Sequence, residues 1–316
     1  MIVVLTGGTG GAKFVQGLKQ VVPERELVAV VNTGDDLLWW GLPVSPDLDS
    51  ITYALAGRLS GERGWGMEGD TFHCLEAMGR LGAPTWFRVG DRDLATHLAR
   101  AEELAAGKTL TEATAVLARR LGIEARILPM TDARVETRIV TPSGELSFEE
   151  YFVRERYQVS VRGVRFAGAA ESRPAPGVLD SIQAAEAILV APSNPITSIG
   201  PLLAVPGIRE ALRKTPAPIG AVSPIVGGAA VSGPAGTLMA AQGLPVSIEG
   251  IGRAYADFLS VLIVDEQDAE AAPTVESMGV RVHCTKALMK SMHDKAELAQ
   301  AALAATGRMT REVVGR

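Results

Sequence analysis

The chain has 316 residues, 47% of them hydrophobic, and a formal net charge of -5. That composition suits one large buried core, and the acidic balance argues against a dedicated nucleic-acid binder, which presents a basic face. Cys74 and Cys284 lack metal-ligand spacing, no basic leader precedes the first apolar run, and no apolar run reaches membrane-spanning length, so a cytoplasmic protein without membrane or nucleic-acid partners is expected.

The apolar residues 2–5 predict a first strand that runs into GGTGG at 7–11. Glycines between a strand and a helix offer backbone N–H groups to an anion. Neither familiar fingerprint fits. Read from Gly8, the dinucleotide pattern meets Lys13 where its third glycine belongs; read from Gly7, the P-loop pattern gives Ala12, Lys13 and Phe14 and lacks the hydroxyl that would hold magnesium. Lys13 to Val22 is amphipathic, with Phe14, Leu18, Val21 and Val22 on one face, and LVAVV at 27–31 reads as the second strand of a right-handed βαβ unit. That strand ends in NTGDD (32–36), and PDLDS follows at 46–50. Loops at the carboxyl ends of neighbouring parallel strands face one crevice, so these aspartates should converge on the glycine loop. Hard carboxylate oxygens beside a phosphate loop suit Mg2+; the lesser alternative is that Asp35 or Asp36 alone caps a helix or turn.

Residues 93–122 read as helical, and 136–152 as a hairpin turning at Pro142, Ser143 and Gly144. VGDRD at 89–93 follows Arg88, and either Arg88 or Arg92 would grip a ligand, with Asp91 or Asp93 orienting it, unless the charges form a surface pair at a helix start. His97 reads as a structural hydrogen-bonder. Apolar runs return at 187–191, 218–222, 246–250, 261–265 and 280–284, and a final helix is expected over about 286–305. The loop APSNPITSIGP at 191–201 exceeds the usual βα connection of about 2–6 residues. With SPIVGG (223–228) and VSGPAG (231–236) it lengthens the crevice. Trp39, Trp40, Trp65, Trp86 and Phe87 lie near it in sequence, mostly as core filling. The expected fold is a single α/β domain with a Rossmann-like, mostly parallel sheet and helices on both faces: a nucleotide-binding core of 1–60 and 176–316, and an inserted, mainly helical subdomain of 61–175 over the acceptor site.

GGTGG, NTGDD, PDLDS, RGWG (63–66), GDRDLATHL (90–98), APSNPITSIGP and SPIVGG together resemble the 2-phospho-L-lactate transferase family of deazaflavin coenzyme biosynthesis, over essentially the whole chain. The resemblance implies transfer of a phospho-acid unit from a guanosine diphosphate conjugate to 7,8-didemethyl-8-hydroxy-5-deazariboflavin, with magnesium and release of GMP. The donor acid would be lactate, enolpyruvate or a related acid. It implies Asp49 and Arg88 as contacts of the deazaflavin acceptor, with Arg92 expected beside them; Asp49 is the candidate catalytic group, orienting or deprotonating the acceptor hydroxyl, with metal ligation as the alternative. Asp35, Asp36 and Asp47 would lie at the metal. Gly8, Thr9, Gly10, Gly11 and Lys13, with Ser193, Asn194, Thr197 and Ser198, would hold the nucleotide and its phosphates, and a homodimer is expected. Two other readings compete. A nicotinamide-dependent oxidoreductase is disfavoured by Asn32, where an acid for the ribose is expected, and a non-catalytic nucleotide-binding regulator has no use for an intact PDLD and GDRD pair.

Overall fold

The computed structural model describes residues 1–308. Seven parallel strands form the central sheet: β1 (Ile2–Thr6), β2 (Leu27–Val31), β3 (Arg126–Pro129), β4 (Ala187–Val190), β5 (Ile219–Val222), β6 (Val261–Asp265) and β7 (Arg281–Thr285). Their order is β7-β6-β5-β4-β1-β2-β3. Ile2 is in register with Leu27 on one side and Ala187 on the other. The chain builds outward from β1 to β3, then returns to lay β4 on the other side of β1. The strand order therefore reverses between β1 and β4, and in open α/β sheets ligands bind outside the carboxyl ends of the strands at that point.

Both faces of the sheet are covered, which is why its inner strands are apolar without alternation. On one face Val3, Leu5, Val28, Val30, Ile188 and Val190 pack with Ile199, Leu202, Ile208 and Tyr255. On the other, Ile2, Val4, Ala29 and Val31 meet Phe14, Val15 and Leu18 of α1 (Gly8–Val21) together with Leu298 and Ala302 of the helix Met292–Ala305. Each such aliphatic side chain contributes about 1.5–3 kcal/mol by leaving water. The glycines themselves form the first turn of α1, so that helix starts earlier than its amphipathic pattern suggests. The helix Met292–Ala305 starts later than 286, where Ser291 and Asp294 close a capping box.

One expected strand is replaced by another. Residues 246–250 do not extend the sheet: Ser247 stands at the N-cap of the helix Ile248–Tyr255, whose buried Ile248, Ile251 and Tyr255 follow helical spacing. The seventh strand is β3, inside the stretch expected as a mainly helical insertion, and it pairs with β2 at the sheet edge. Arg126 and Pro129 interrupt its apolar signature, and an edge is where a proline is tolerated. The rest of 61–175 holds three α-helices, α3 (His73–Arg80), α4 (Asp91–Ala105) and α5 (Leu110–Arg120), and a π-helical turn at Glu150–Arg154. It also holds an antiparallel sheet of Glu136–Thr141, Gly144–Ser147 and Gly163–Ala167. Trp39 is buried edge-on against Trp86 and Phe87, with ring centroids 4.9 and 5.7 Å away. No helix among the described residues is long and apolar enough to cross a membrane.

Candidate functional site

A cavity of about 580 Å³ opens at the strand-order reversal, lined by the loops after β1, β2 and β4 and by residues between 63 and 153. Its floor is the glycine turn. Side chains are excluded there by close approach: a Cβ on Gly7 would strike Asp47, one on Gly10 the Pro192 carbonyl, and one on Gly11 the Thr6 hydroxyl. Gly8 has φ +65°, the left-handed region that glycine occupies without strain. The later loop is stitched to the turn by Ser193, whose hydroxyl donates to the Gly7 carbonyl at 2.7 Å and accepts from the Gly7 N–H at 3.3 Å.

Asn32, at the end of β2, gathers the acids. Its side-chain amide donates to Asp35 and to Asp47, each at 2.9 Å, and approaches the Thr197 carbonyl at 3.2 Å. Asp47, in the first turn of α2 (Pro46–Leu55), also accepts from the Gly8 N–H at 2.7 Å, so the aspartate and the phosphate turn are fixed together. Burial pushes the Asp35 carboxyl well above its ordinary range, with the nearby Asp47 and Glu149 adding to the shift. Burial likewise raises Asp47 to about 6. Glu149 reaches about 8 through burial and the charges of Asp47 and Asp36. One oxygen of Asp35 and one of Asp36 are buried without a hydrogen-bond partner. Crowded carboxylates with an orphaned oxygen at a cavity wall fit a hard divalent cation, which Asp35 and Asp47 would hold.

A second network fixes Asp49. Arg100, 2% exposed on α4, grips its carboxylate with both terminal nitrogens: Nη1 lies 3.2 Å from Oδ2, and Nη2 donates to Oδ1. His97 stands between two acids, with Nδ1 3.5 Å from Asp49 and Nε2 3.6 Å from Asp93. Tyr53 donates to Asp93 at 2.6 Å. Burial alone would raise the Asp93 carboxyl, but His97, Tyr53 and Arg100 hold it below its ordinary value.

Of the residues expected from the sequence, Gly8, Thr9, Gly10, Lys13, Asp35, Asp47, Asp49, Arg88, Ser193, Asn194 and Ser198 line this one cavity. Four do not. Gly11 packs α1 against Thr6 and Ser193. Asp36 is half-buried and accepts from the Ser45 hydroxyl at 2.8 Å. Thr197 is fully buried and presents its carbonyl to Asn32. Arg92 turns away, donating to the Glu68 carbonyl at 3.1 Å. Arg88 reaches the cavity across the ring of Phe72, 4.5 Å from its centroid. The sequence reading missed Tyr53, Arg100 and Glu149 and undervalued Asn32 and His97. Asp93, His97 and Arg100 do carry a signal, since they recur on one helical face at intervals of four and three. Glu149 carries none.

Residues 2–305 match the family 2-phospho-L-lactate transferase CofD. The chain is 43% identical over 299 residues to the 2-phospho-L-lactate transferase of Methanosarcina mazei, covering 95% of this chain and 98% of that one. It is 42% identical over 308 residues to the phosphoenolpyruvate transferase of Streptomyces griseus, with 96% and 97% covered. Among solved structures, a UPF0052 family protein of Bacillus halodurans superposes with a TM-score of 0.64 at 16% identity over 96% of this chain and 98% of that one, a likeness of fold alone. The chain belongs to the 2-phospho-L-lactate transferase CofD family and is a transferase.

Proposed function

We propose that the enzyme transfers a phospholactyl or phosphoenolpyruvyl-type unit from a guanosine diphosphate conjugate to 7,8-didemethyl-8-hydroxy-5-deazariboflavin, releasing GMP, as a step of coenzyme F420 biosynthesis. The observation that carries this reading is the convergence in one cavity of a glycine turn, an acidic cluster with an orphaned oxygen and Asp49 in a rigid frame. In the reaction the primary hydroxyl oxygen of the acceptor attacks the phosphorus bearing the acid. The bond from that phosphorus to the bridging oxygen breaks, and GMP departs with that oxygen. The relatives are named for two different donor acids, and both readings of the acid are carried forward.

The residues divide this work. Backbone N–H groups of the first turn of α1, with Lys13, face the donor phosphates. Asp35 and Asp47 would hold Mg2+, which when bound offsets phosphate charge. Asp49 accepts a hydrogen bond from the attacking hydroxyl and takes up its proton as the new bond forms. Arg100 fixes the direction of that carboxylate, so no reorientation is needed when the hydroxyl arrives. In phosphoryl transfer most catalysis comes from such positioning and from electrostatics. The aromatic side of the cavity, with Trp65, Phe87, Phe148 and Phe152, suits a planar ring.

The test is mass spectrometry of the product formed from the deazaflavin alcohol and each guanylylated acid, lactate and enolpyruvate, with Mg2+. Formation of the phospho-acid diester and equimolar GMP is expected with one donor. Release of GMP without a diester, or no turnover with either donor, would overturn the assignment.

A further inference from the structure

The walls of the cavity differ in chemistry. Asp35, Asp47 and Glu149 make one side acidic, while Lys13, Arg63 and Arg88 reach it from elsewhere. Among the described residues, none of these three cations has a carboxylate within 4.0 Å. Arg63 and Arg88 share one aromatic ring: their guanidinium carbons lie 5.4 and 4.5 Å from the centroid of Phe72. Two like charges held on one ring with no acidic partner form a place for an anion.

Arg63 is the better placed of the two for the donor. Its loop lies on the glycine turn, where a Cβ on Gly64 would be 3.9 Å from Cε of Lys13 and 4.0 Å from Cβ of Thr9. One nitrogen, Nη2, donates to the Met67 carbonyl at 2.7 Å, and the guanidinium also lies 5.4 Å from the Trp65 ring. The side chain is thereby aimed while its Nε, buried, has no hydrogen-bond partner. A brace for the loop needs only the contact to Met67. With Nε shut off from the cavity, the terminal nitrogens Nη1 and Nη2 keep protons that suit a planar, two-oxygen acceptor.

We propose that Arg63 recognises the carboxylate of the donor acid, so that the site selects guanosine diphosphate conjugates of α-carboxy acids over uncarboxylated ones. This rests on the guanosine-conjugate reading given above. A charge-assisted hydrogen bond of this kind changes affinity by about 10- to 100-fold.

The experiment is calorimetry with three probes: GDP, GDP esterified on its terminal phosphate with lactate, and GDP esterified there with ethanol, which is the lactate conjugate without its carboxylate. Wild-type protein should bind the lactate conjugate at least about tenfold more tightly than the ethyl conjugate. In Arg63→Gln that preference should collapse to about twofold or less, with GDP and ethyl-conjugate affinities unchanged; in Arg63→Lys, which keeps the charge without the fork, it should fall to an intermediate value. A preference that survives in Arg63→Gln, an equal loss for all three probes, or a wild-type enzyme that binds GDP without favouring the lactate conjugate would each overturn the assignment. A wild-type enzyme that binds none of the three would instead remove the guanosine-conjugate reading beneath it.

Discussion

Substituting Asp49 is the obvious way to probe catalysis, yet the structure makes it a structural perturbation as well. Asp49 and Arg100 are 4% and 2% exposed, and the guanidinium holds both carboxylate oxygens. Removing one member of a buried pair leaves an uncompensated charge in a medium that solvates it poorly, at a cost of about 3–5 kcal/mol. Asp49→Asn and Arg100→Met should therefore each destabilise the protein by that amount. At about 2 °C per kcal/mol for a chain of this size, each should lower Tm by about 6–10 °C. The double variant Asp49→Asn/Arg100→Met replaces the ion pair by a neutral pair of similar volume and should recover at least about 2 kcal/mol of the summed loss. Urea denaturation of the four proteins, monitored with transfer activity, separates the two roles: the double variant regains stability and stays inactive. Strict additivity of the two losses would refute the reasoning, because the residues would then not act as a pair. Activity restored in the double variant would show that Asp49 does not serve the hydroxyl.

The remaining expectations concern the acids, the cation and the acceptor. Burial raises Glu149 from 4.5 to about 8, so in cation-free protein its contribution to stability is full below about pH 4.5 and is lost as pH rises through about 8, amounting to about 4 kcal/mol by pH 7.5. Glu149→Gln should accordingly flatten the fall of Tm with pH between about 5 and 8 in EDTA; an unchanged slope would show that the carboxyl does not titrate across that window. Mg2+ should raise the Tm of wild-type protein, and the gain should shrink in Asp35→Asn and Asp47→Asn, whereas full transfer activity in EDTA with metal-free protein would count against a cation. Arg88→Ala should weaken acceptor binding more than GDP binding, and calorimetry giving the reverse order would mean that the two pockets are exchanged.

The strand-and-helix grammar was legible where each strand is buried on both faces. Runs such as IVVL, LVAVV and VLIVD have no alternation to misread, and all three lie in the central sheet. Legibility failed at the edges of that rule. RILP at 126–129 needs only three buried residues because it pairs on one side, so its arginine and proline hid it. VSIEG carried apolar residues at alternate positions, but Ile248 and Ile251 begin a helical stripe that continues to Tyr255, and a five-residue window cannot tell the two periods apart.

The site was legible in proportion to how local it is. The glycine turn, NTGDD, PDLDS and the loop after β4 follow strand ends, and sheet topology alone carries strand ends to one crevice. Arg100 is 51 positions from the aspartate it holds. Glu149 follows the antiparallel hairpin and meets Asp47 only through the fold. Such partners are set by packing between segments, which no local pattern records. The same logic changes the meaning of Asn32. As a sequence feature it only counted against a ribose-binding acid; in the structure its amide joins Asp35 to Asp47, both acceptor-only when ionised, and an acid at position 32 would add a third negative charge where two already crowd. The residue that disfavoured a nicotinamide site is thus the residue that would permit the proposed cation site, because a neutral donor can bring two carboxylates within reach of one ion.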